Sequence, residues 1–363
     1  MFLLTIKFEC RYYIIKIYLT QPTSFYINEQ PYGSTTVKVR GVSSGHNGTY
    51  TFGIRANIIL ITPNQGTVGN VVTVAGNGFG VSDDIRVDFG TTLTIVTTSA
   101  NICGTFSIIF TVTTQPYGST TIKVDGVKSM VCIGSFTILP RIWSTPDAGT
   151  VGSLVTVWGN GYGYEEIRID FGIKQSITIT NSAIEGSFST TFTIDTQPYS
   201  YKTITVTGVN SLAATLSTFF ITPDISLITP ICGTVGIKIT VQGTGYVGGD
   251  PPDYMEIRLG GRSSPIQSGN ANEHGYFDLS FNINTQPFGT KTIEAKGLRY
   301  GAKYAYDTFI ILPYIEITPT SGTVGSSVTV SGNGFDTTEL IRINFGSTQS
   351  ITQIISTGIT NNS

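Results

Sequence analysis

Apolar and polar residues alternate in short runs along most of this chain, and glycine or proline marks the breaks. Over residues 56–140, Ile85, Val87 and Phe89 fall on one side of a run, with Arg86 and Asp88 on the other. Val72 and Val74 flank Thr73, and Ile122 and Val124 flank Lys123. Phe106, Ile108, Phe110 and Val112 form the longest clean alternation. A period of two is the spacing of a half-buried strand. With Ile59–Ile61, Thr94–Val96 and Phe136–Leu139 added, the runs predict about seven short strands separated by turns, as in a two-sheet sandwich. No window carries a helical stripe at i, i+3 and i+4.

The pattern repeats. Gly-Thr-Val-Gly begins at Gly66, Gly149, Gly233 and Gly322, at spacings of 83, 84 and 89 residues. Gln-Pro-Tyr/Phe begins at Gln30, Gln115, Gln197 and Gln286, at spacings of 85, 82 and 89. The longer third interval fits an insertion over Val247–Tyr254, a Gly/Pro-rich stretch of the kind loops tolerate. Core-facing positions recur as Val155/Val157, Ile239/Val241 and Val328/Val330, and as Phe188, Phe192 and Ile194 or Phe277, Leu279, Phe281 and Ile283. A one-residue slip would turn each set outward, so the register is specified. The expected division is 56–140, 141–223 and 224–313 for three complete repeats, ending at Pro140, Pro223 and Pro313. No Gly/Ser tether separates them, so a semi-rigid array of abutting beads is expected. Residues 1–55 hold an N-terminal segment plus the second half of a repeat, and 314–363 hold a first half; residues 1–22 match neither half. Two readings of these ends stay open: a piece of a longer polypeptide, or halves that complement one another between neighbouring copies.

The order Ile61-Thr62-Pro63, Gly66-Thr67-Val68-Gly69, Val72-Thr73-Val74, Gly76-Asn77-Gly78-Phe79 and Ile85-Arg86-Val87-Asp88-Phe89-Gly90 resembles the immunoglobulin-like IPT/TIG repeats. In particular it resembles the long bacterial arrays of predicted cell-surface proteins. The resemblance covers the three complete repeats and both partial ones. It implies tandem immunoglobulin-like β-sandwiches with an extracellular role as stalk, adhesin or matrix component. Some members of the wider family bind DNA, but nothing in this chain matches their basic loops.

Composition narrows the picture further. With Lys+Arg 21 against Asp+Glu 23 the net charge is −2, which argues against nucleic acid as a partner. Hydrophobic residues make up 40% and charged ones 12%, unlike a disordered chain or a coiled coil. Four cysteines, Cys10, Cys103, Cys132 and Cys232, are too few to carry the fold. No apolar run is long enough to span a bilayer, and residues 1–10 lack the basic region and cleavage site of a signal peptide.

Each candidate for chemistry has a plainer reading. Acidic residues precede the Ile-Arg strand in every repeat: Asp83/Asp84, Glu165/Glu166, Asp250/Asp253 with Glu256, and Asp336/Glu339. Oxygen-rich loops can hold Ca²⁺, but the spacing varies and no Asp-x-Asp-x-Asp-Gly run occurs. Solvated carboxylates pairing loosely with Arg86, Arg168, Arg258 or Arg342 are expected. The Gln-Pro-aromatic anchor reads as a turn whose aromatic (Tyr117, Tyr199 or Phe288) plugs the sandwich end; stacking on sugars is the alternative, and a side-chain crosslink at the glutamine has little support. Gly76-Asn77-Gly78 puts two residues tolerant of positive φ before an aromatic, and opens no helix that would hold a phosphate. Cys103 and Cys132 lie in one repeat and are either isolated thiols or a disulfide. His46 and His274 read as exposed loop residues, and Asn47-Gly48-Thr49 and Asn361-Asn362-Ser363 match the N-glycosylation pattern.

No residue is therefore assigned to catalysis, cofactor binding or metal binding. The expected function is a non-enzymatic extracellular structural or adhesive repeat protein. The alternatives are a carbohydrate- or protein-binding module acting through end loops, or accessory repeats of a larger surface enzyme. The expected partners are other surface proteins, glycans or neighbouring copies of the chain.

Overall fold

A computed structural model describes residues 2–7, 12–17, 24–346 and 348–355, with side chains over 24–346. The alternating runs become strands throughout, and no helix occurs among the described residues. None is therefore long and apolar enough to cross a membrane.

In the first complete repeat two sheets form. One has the order Phe106–Thr111, Val71–Asn77, Asn57–Thr62; the other has Gln65–Gly66, Cys132–Ile138, Gly118–Gly126, Asp84–Phe89, Thr92–Ser99. Neighbours are antiparallel except Gln65–Gly66, which runs parallel to Cys132–Ile138. The same three-plus-five order recurs in the second and third repeats. The chain is a series of immunoglobulin-like β-sandwiches. The two-residue strand at Gln65–Gly66 lies beyond the seven expected, and Thr92–Ser99 is longer than Thr94–Val96 suggested. In Asn57–Thr62 a bulge after Ile58 breaks the alternation, leaving Ile59 and Leu60 outside.

The period-two faces meet where the pattern requires. Val72, Val74, Ile85, Val87, Phe89, Ile122 and Val124 are all buried, and Phe89 packs against Phe110 and Phe136 at centroid distances of 5.2 and 5.7 Å. Register fixes these meetings, with Ile122 opposite Phe89 and Val124 opposite Val87. Equivalent cores form around Val155, Ile169 and Phe171, and around Val241, Ile257 and Leu259. Each core is closed within its own stretch of chain. The molecule exposes 20498 Å², against roughly 14,000 Å² for a single compact body of 38.9 kDa.

The partial repeats keep fragments of this plan. Gly33–Gly41 pairs with Asn47–Ile54 as Gly118–Gly126 pairs with Cys132–Ile138. The hairpin Phe2–Lys7 with Tyr12–Ile17 joins it through Phe2 opposite Gly41, the place that Ile85 takes opposite Gly126. Residues 2–7 and 12–17 thus have a position in the sheet although their sequence matches neither half. At the other end Tyr314–Thr318 pairs with Thr329–Asn333, and Leu340–Phe345 with Thr348–Ile355, while Ile315, Ile317 and Val328 stay exposed. Asn361-Asn362-Ser363 and Cys10 lie outside the described residues.

Candidate functional site at the repeat junctions

The Gln-Pro-aromatic anchor does two jobs at once. Its glutamine turns inward. Gln115 is buried, its Nε2 donates to the Phe89 carbonyl at 3.2 Å, and its Oε1 accepts from the Thr91 N–H at 3.3 Å. Gln197 is also buried and donates to the Phe171 carbonyl at 2.9 Å and to Asp195 Oδ1 at 2.7 Å. The glutamine therefore ties the turn to the end of a core strand through a backbone carbonyl. Contrary to expectation, Tyr117 and Phe288 do not plug the sandwich, being 40% and 48% exposed, while Tyr199 is half-buried with its ring 5.0 Å from that of Phe220.

The rest of the anchor faces the next repeat. The backbone N–H of Tyr32, Tyr117 and Tyr199 donates to the carbonyl of Phe79, Tyr162 and Tyr246 at 2.8, 3.1 and 2.8 Å. Each acceptor residue has a fully buried ring, and its own N–H donates to the carbonyl of Gly104, Gly186 or Gly275. These glycines adopt φ of +74°, +84° and +73°. A Cβ there would lie 2.7, 3.1 or 3.0 Å from Cα of Pro31, Pro116 or Pro198 in the preceding repeat, and closer still to the acceptor carbonyl. Two backbones meet, and no side chain fits between them. Gly104, Gly186 and Gly275 were missed in the sequence, although Gly-x-Phe at Gly104-Thr105-Phe106, Gly186-Ser187-Phe188 and Gly275-Tyr276-Phe277 carries the signal.

The Gly-x-Gly turn closes the other side of each junction. Only its second glycine has positive φ, from +70° to +74° at Gly78, Gly161, Gly245 and Gly334. A Cβ on these would strike the carbonyl of Arg55, Leu139, Thr222 or Leu312 at the end of the preceding repeat. The first glycine is needed for space instead: a Cβ on Gly76 would meet the Phe106 ring at 2.5 Å. At the third junction Lys303 Nζ also lies 4.9 Å from the Tyr199 ring centroid, a cation–π contact between repeats.

Of the acidic positions, Asp84, Glu166, Asp250, Asp336 and Glu339 are exposed as expected, but one in each complete repeat is not loosely solvated. Asp83, Glu165 and Asp253 are buried clasps that hold the loop near residues 127–129, 209–211 and 298–300. Asp83 accepts from Lys128 N at 2.8 Å, Gly80 N at 3.3 Å and Ser129 Oγ at 2.7 Å. Glu165 accepts from Asn210 N at 2.6 Å, Ser211 N at 2.8 Å and Gly163 N at 3.1 Å, and from Ser211 Oγ. Asp253 accepts from Arg299 N at 2.7 Å and Val247 N at 3.3 Å. Burial pushes the Glu165 pKa up, but donation from Ser211, Asn210 and Gly163 outweighs it, so the carboxyl sits below the usual glutamate value. Backbone N–H groups need these acceptors more than the arginines do. Arg86 pairs instead with Asp88 and Asp125, and Arg168 with Asp170, while Arg258 keeps an expected partner, Glu256 at 2.7 Å, alongside Glu294.

The remaining candidates stay apart. Cys132 and Cys232 are free thiols while Cys103 is disulfide-bonded, so Cys103 and Cys132 are not joined to each other. Burial pushes the Cys132 thiol pKa up. His46 is exposed, and His274 lies 3.4 Å from Glu273 on the surface. No group of three or more His, Cys, Asp or Glu suited to a metal ion occurs among the described residues.

No family model matches the chain, and no curated protein matches it. Solved structures similar to it include dimeric latent PorU from Porphyromonas gingivalis, at 11% identity and a TM-score of 0.22, covering 73% of this chain and 35% of that one. The chain thus spans about a third of the length of PorU. The D0–D1 domain of intimin matches at 12% identity and TM-score 0.20, covering 47% of this chain and 97% of that one. Invasin, a bacterial integrin-binding protein, matches at 13% and 0.22, covering 88% and 73%. Likeness this distant bears on nothing beyond the fold.

Proposed function

We propose that this chain is a non-enzymatic, extracellular structural and adhesive segment in which IPT/TIG-type sandwiches in series hold distance and direction. One observation carries the reading. The same backbone bond, from the residue after Gln-Pro to the residue after Gly-x-Gly, joins successive repeats at 2.8, 3.1 and 2.8 Å. A chain of freely jointed domains has no use for a joint built identically three times with glycine wherever a side chain would intrude. The buried acids and amides support the same reading, because the carboxylates of Asp83 and Glu165 and the Nε2 of Gln197 are spent on loops and strand ends rather than presented in a cleft. Hydroxyl groups of Thr and Ser on the strand faces hydrogen-bond water where charges are few.

Small-angle X-ray scattering on the full chain tests this. The expected pair-distance distribution is that of a long particle of one-sandwich cross-section. A globular distribution, or one that needs an ensemble of bent forms, would overturn the reading.

A further inference from the structure

The chain has two tryptophans, Trp143 and Trp158, and they are neighbours on the outer face of the three-stranded sheet of the second repeat. Trp143, on Arg141–Thr145, stands in register opposite Trp158, on Leu154–Asn160. Their rings lie 17° from parallel with centroids 6.3 Å apart. At that distance the rings are slipped past one another, so part of each indole stays uncovered. Trp143 remains 45% exposed.

The fold does not require aromatics at this position. The same cross-strand pair is Leu60 with Ala75 in the first repeat, Leu227 with Gln242 in the third and Glu316 with Ser331 in the last. The core of the second repeat is filled from the opposite face by Ile142, Val155 and Val157. The tryptophans are thus a feature of one repeat, placed where they face solvent.

Their surroundings define what they would meet. Ser189 is in register beside Trp158, and the next row across the sheet is Thr145, Thr156 and Thr191. The three strands carry no carboxylate and a single cation, Arg141, in the row next to the tryptophans on the side away from the threonines, with its Nη1 lying toward Gly69 of the preceding repeat. The face is therefore neutral: an apolar aromatic step bordered by hydroxyl groups. A protein partner needs about 800 Å² on each side, whereas two tryptophans supply at most roughly 250 Å² each. A pyranose ring fits better, since its C–H face is small and apolar while its rim is hydroxyl groups.

We propose that this face binds a neutral polysaccharide, with a sugar ring laid on the uncovered indole surface and its hydroxyls meeting Ser189 and the threonine row. This proposal does not depend on the rod reading, because it uses none of the junction residues and a rod need not bind sugar. The chain provides its own probe, since all tryptophan emission comes from this pair. Full-length protein would be titrated with cellohexaose, laminarihexaose and mannohexaose while emission is followed. The expected result is a saturable blue shift with at least one of them, weakened roughly tenfold or more in Trp143→Ala. Thermal unfolding of Trp143→Ala confirms that the sheet survives, and Leu227→Ala, at the same position in the third repeat, should leave binding unchanged. No spectral change with any of the three at roughly 10 mM, well above a millimolar Kd, would overturn the proposal. So would undiminished binding by Trp143→Ala, or a shift that follows protein concentration alone and reports self-association.

Discussion

The backbone N–H of Tyr117 reaches across a repeat boundary to the carbonyl of Tyr162 at 3.1 Å, while the side chain of Gln115, two residues earlier, is fixed inside its own sandwich. One turn is thereby anchored in two domains. The link holds between peptide groups, so it does not depend on the side chain that follows the proline.

Gly186 should be the most sensitive position in the second repeat that lies outside its core. Gly186→Val combines a left-handed φ with the carbonyl of Tyr162 and the Cα of Pro116, and the expected loss is about 1–3 kcal/mol. Gly152 also has positive φ, at +88°, but meets nothing within 4 Å. Gly152→Val should therefore cost less than Gly186→Val. Urea unfolding followed by emission of Trp143 and Trp158 reads this repeat alone; equal losses would show that the junction contact contributes nothing.

Glu165 gives the second repeat a defined acid sensitivity. Its folded pKa lies below the ordinary value, so its stabilising effect is present at neutral pH. That effect fades as pH falls below about 4.3, the unfolded glutamate value, and through the folded pKa. Glu165→Gln should lower stability at pH 7 by about 1.5–3 kcal/mol and flatten the dependence below that range. Urea midpoints at neutral and acid pH check both signs; an unchanged acid slope would remove Glu165 as its source.

Calcium should leave the melting temperature unchanged. Both oxygens of Asp83 are engaged by Lys128, Gly80 and Ser129, and Ca²⁺ needs six to eight oxygens. Differential scanning calorimetry with and without millimolar Ca²⁺ is the check, and a rise of several degrees would mean that the clasps open to admit the ion.

The sandwich was readable because burial of one strand face imposes a period of two, and Val72, Phe89 and Phe110 obey it. The clasps and joints were less legible for a physical reason. Alternation reports which way a strand residue faces, but Asp83 and Gln115 lie in loops, where burial is decided by unpaired backbone groups. Gln65–Gly66 is too short to show any period. Gly104 looks like an ordinary turn glycine until Pro31 of the preceding segment is placed against it. The Trp143–Trp158 pair is 15 residues apart in sequence and becomes visible only through strand register.

The rigidity of the joint is measured most directly by pulsed electron–electron double resonance between spin labels at Thr111 and Thr193, exposed and equivalent positions in successive repeats. Cys132 and Cys232, the free thiols, would first be replaced by serine. A fixed joint gives one narrow distance distribution, which broadens in Gly186→Val. A distribution already broad in the parent protein, and unaltered by that substitution, would contradict the account.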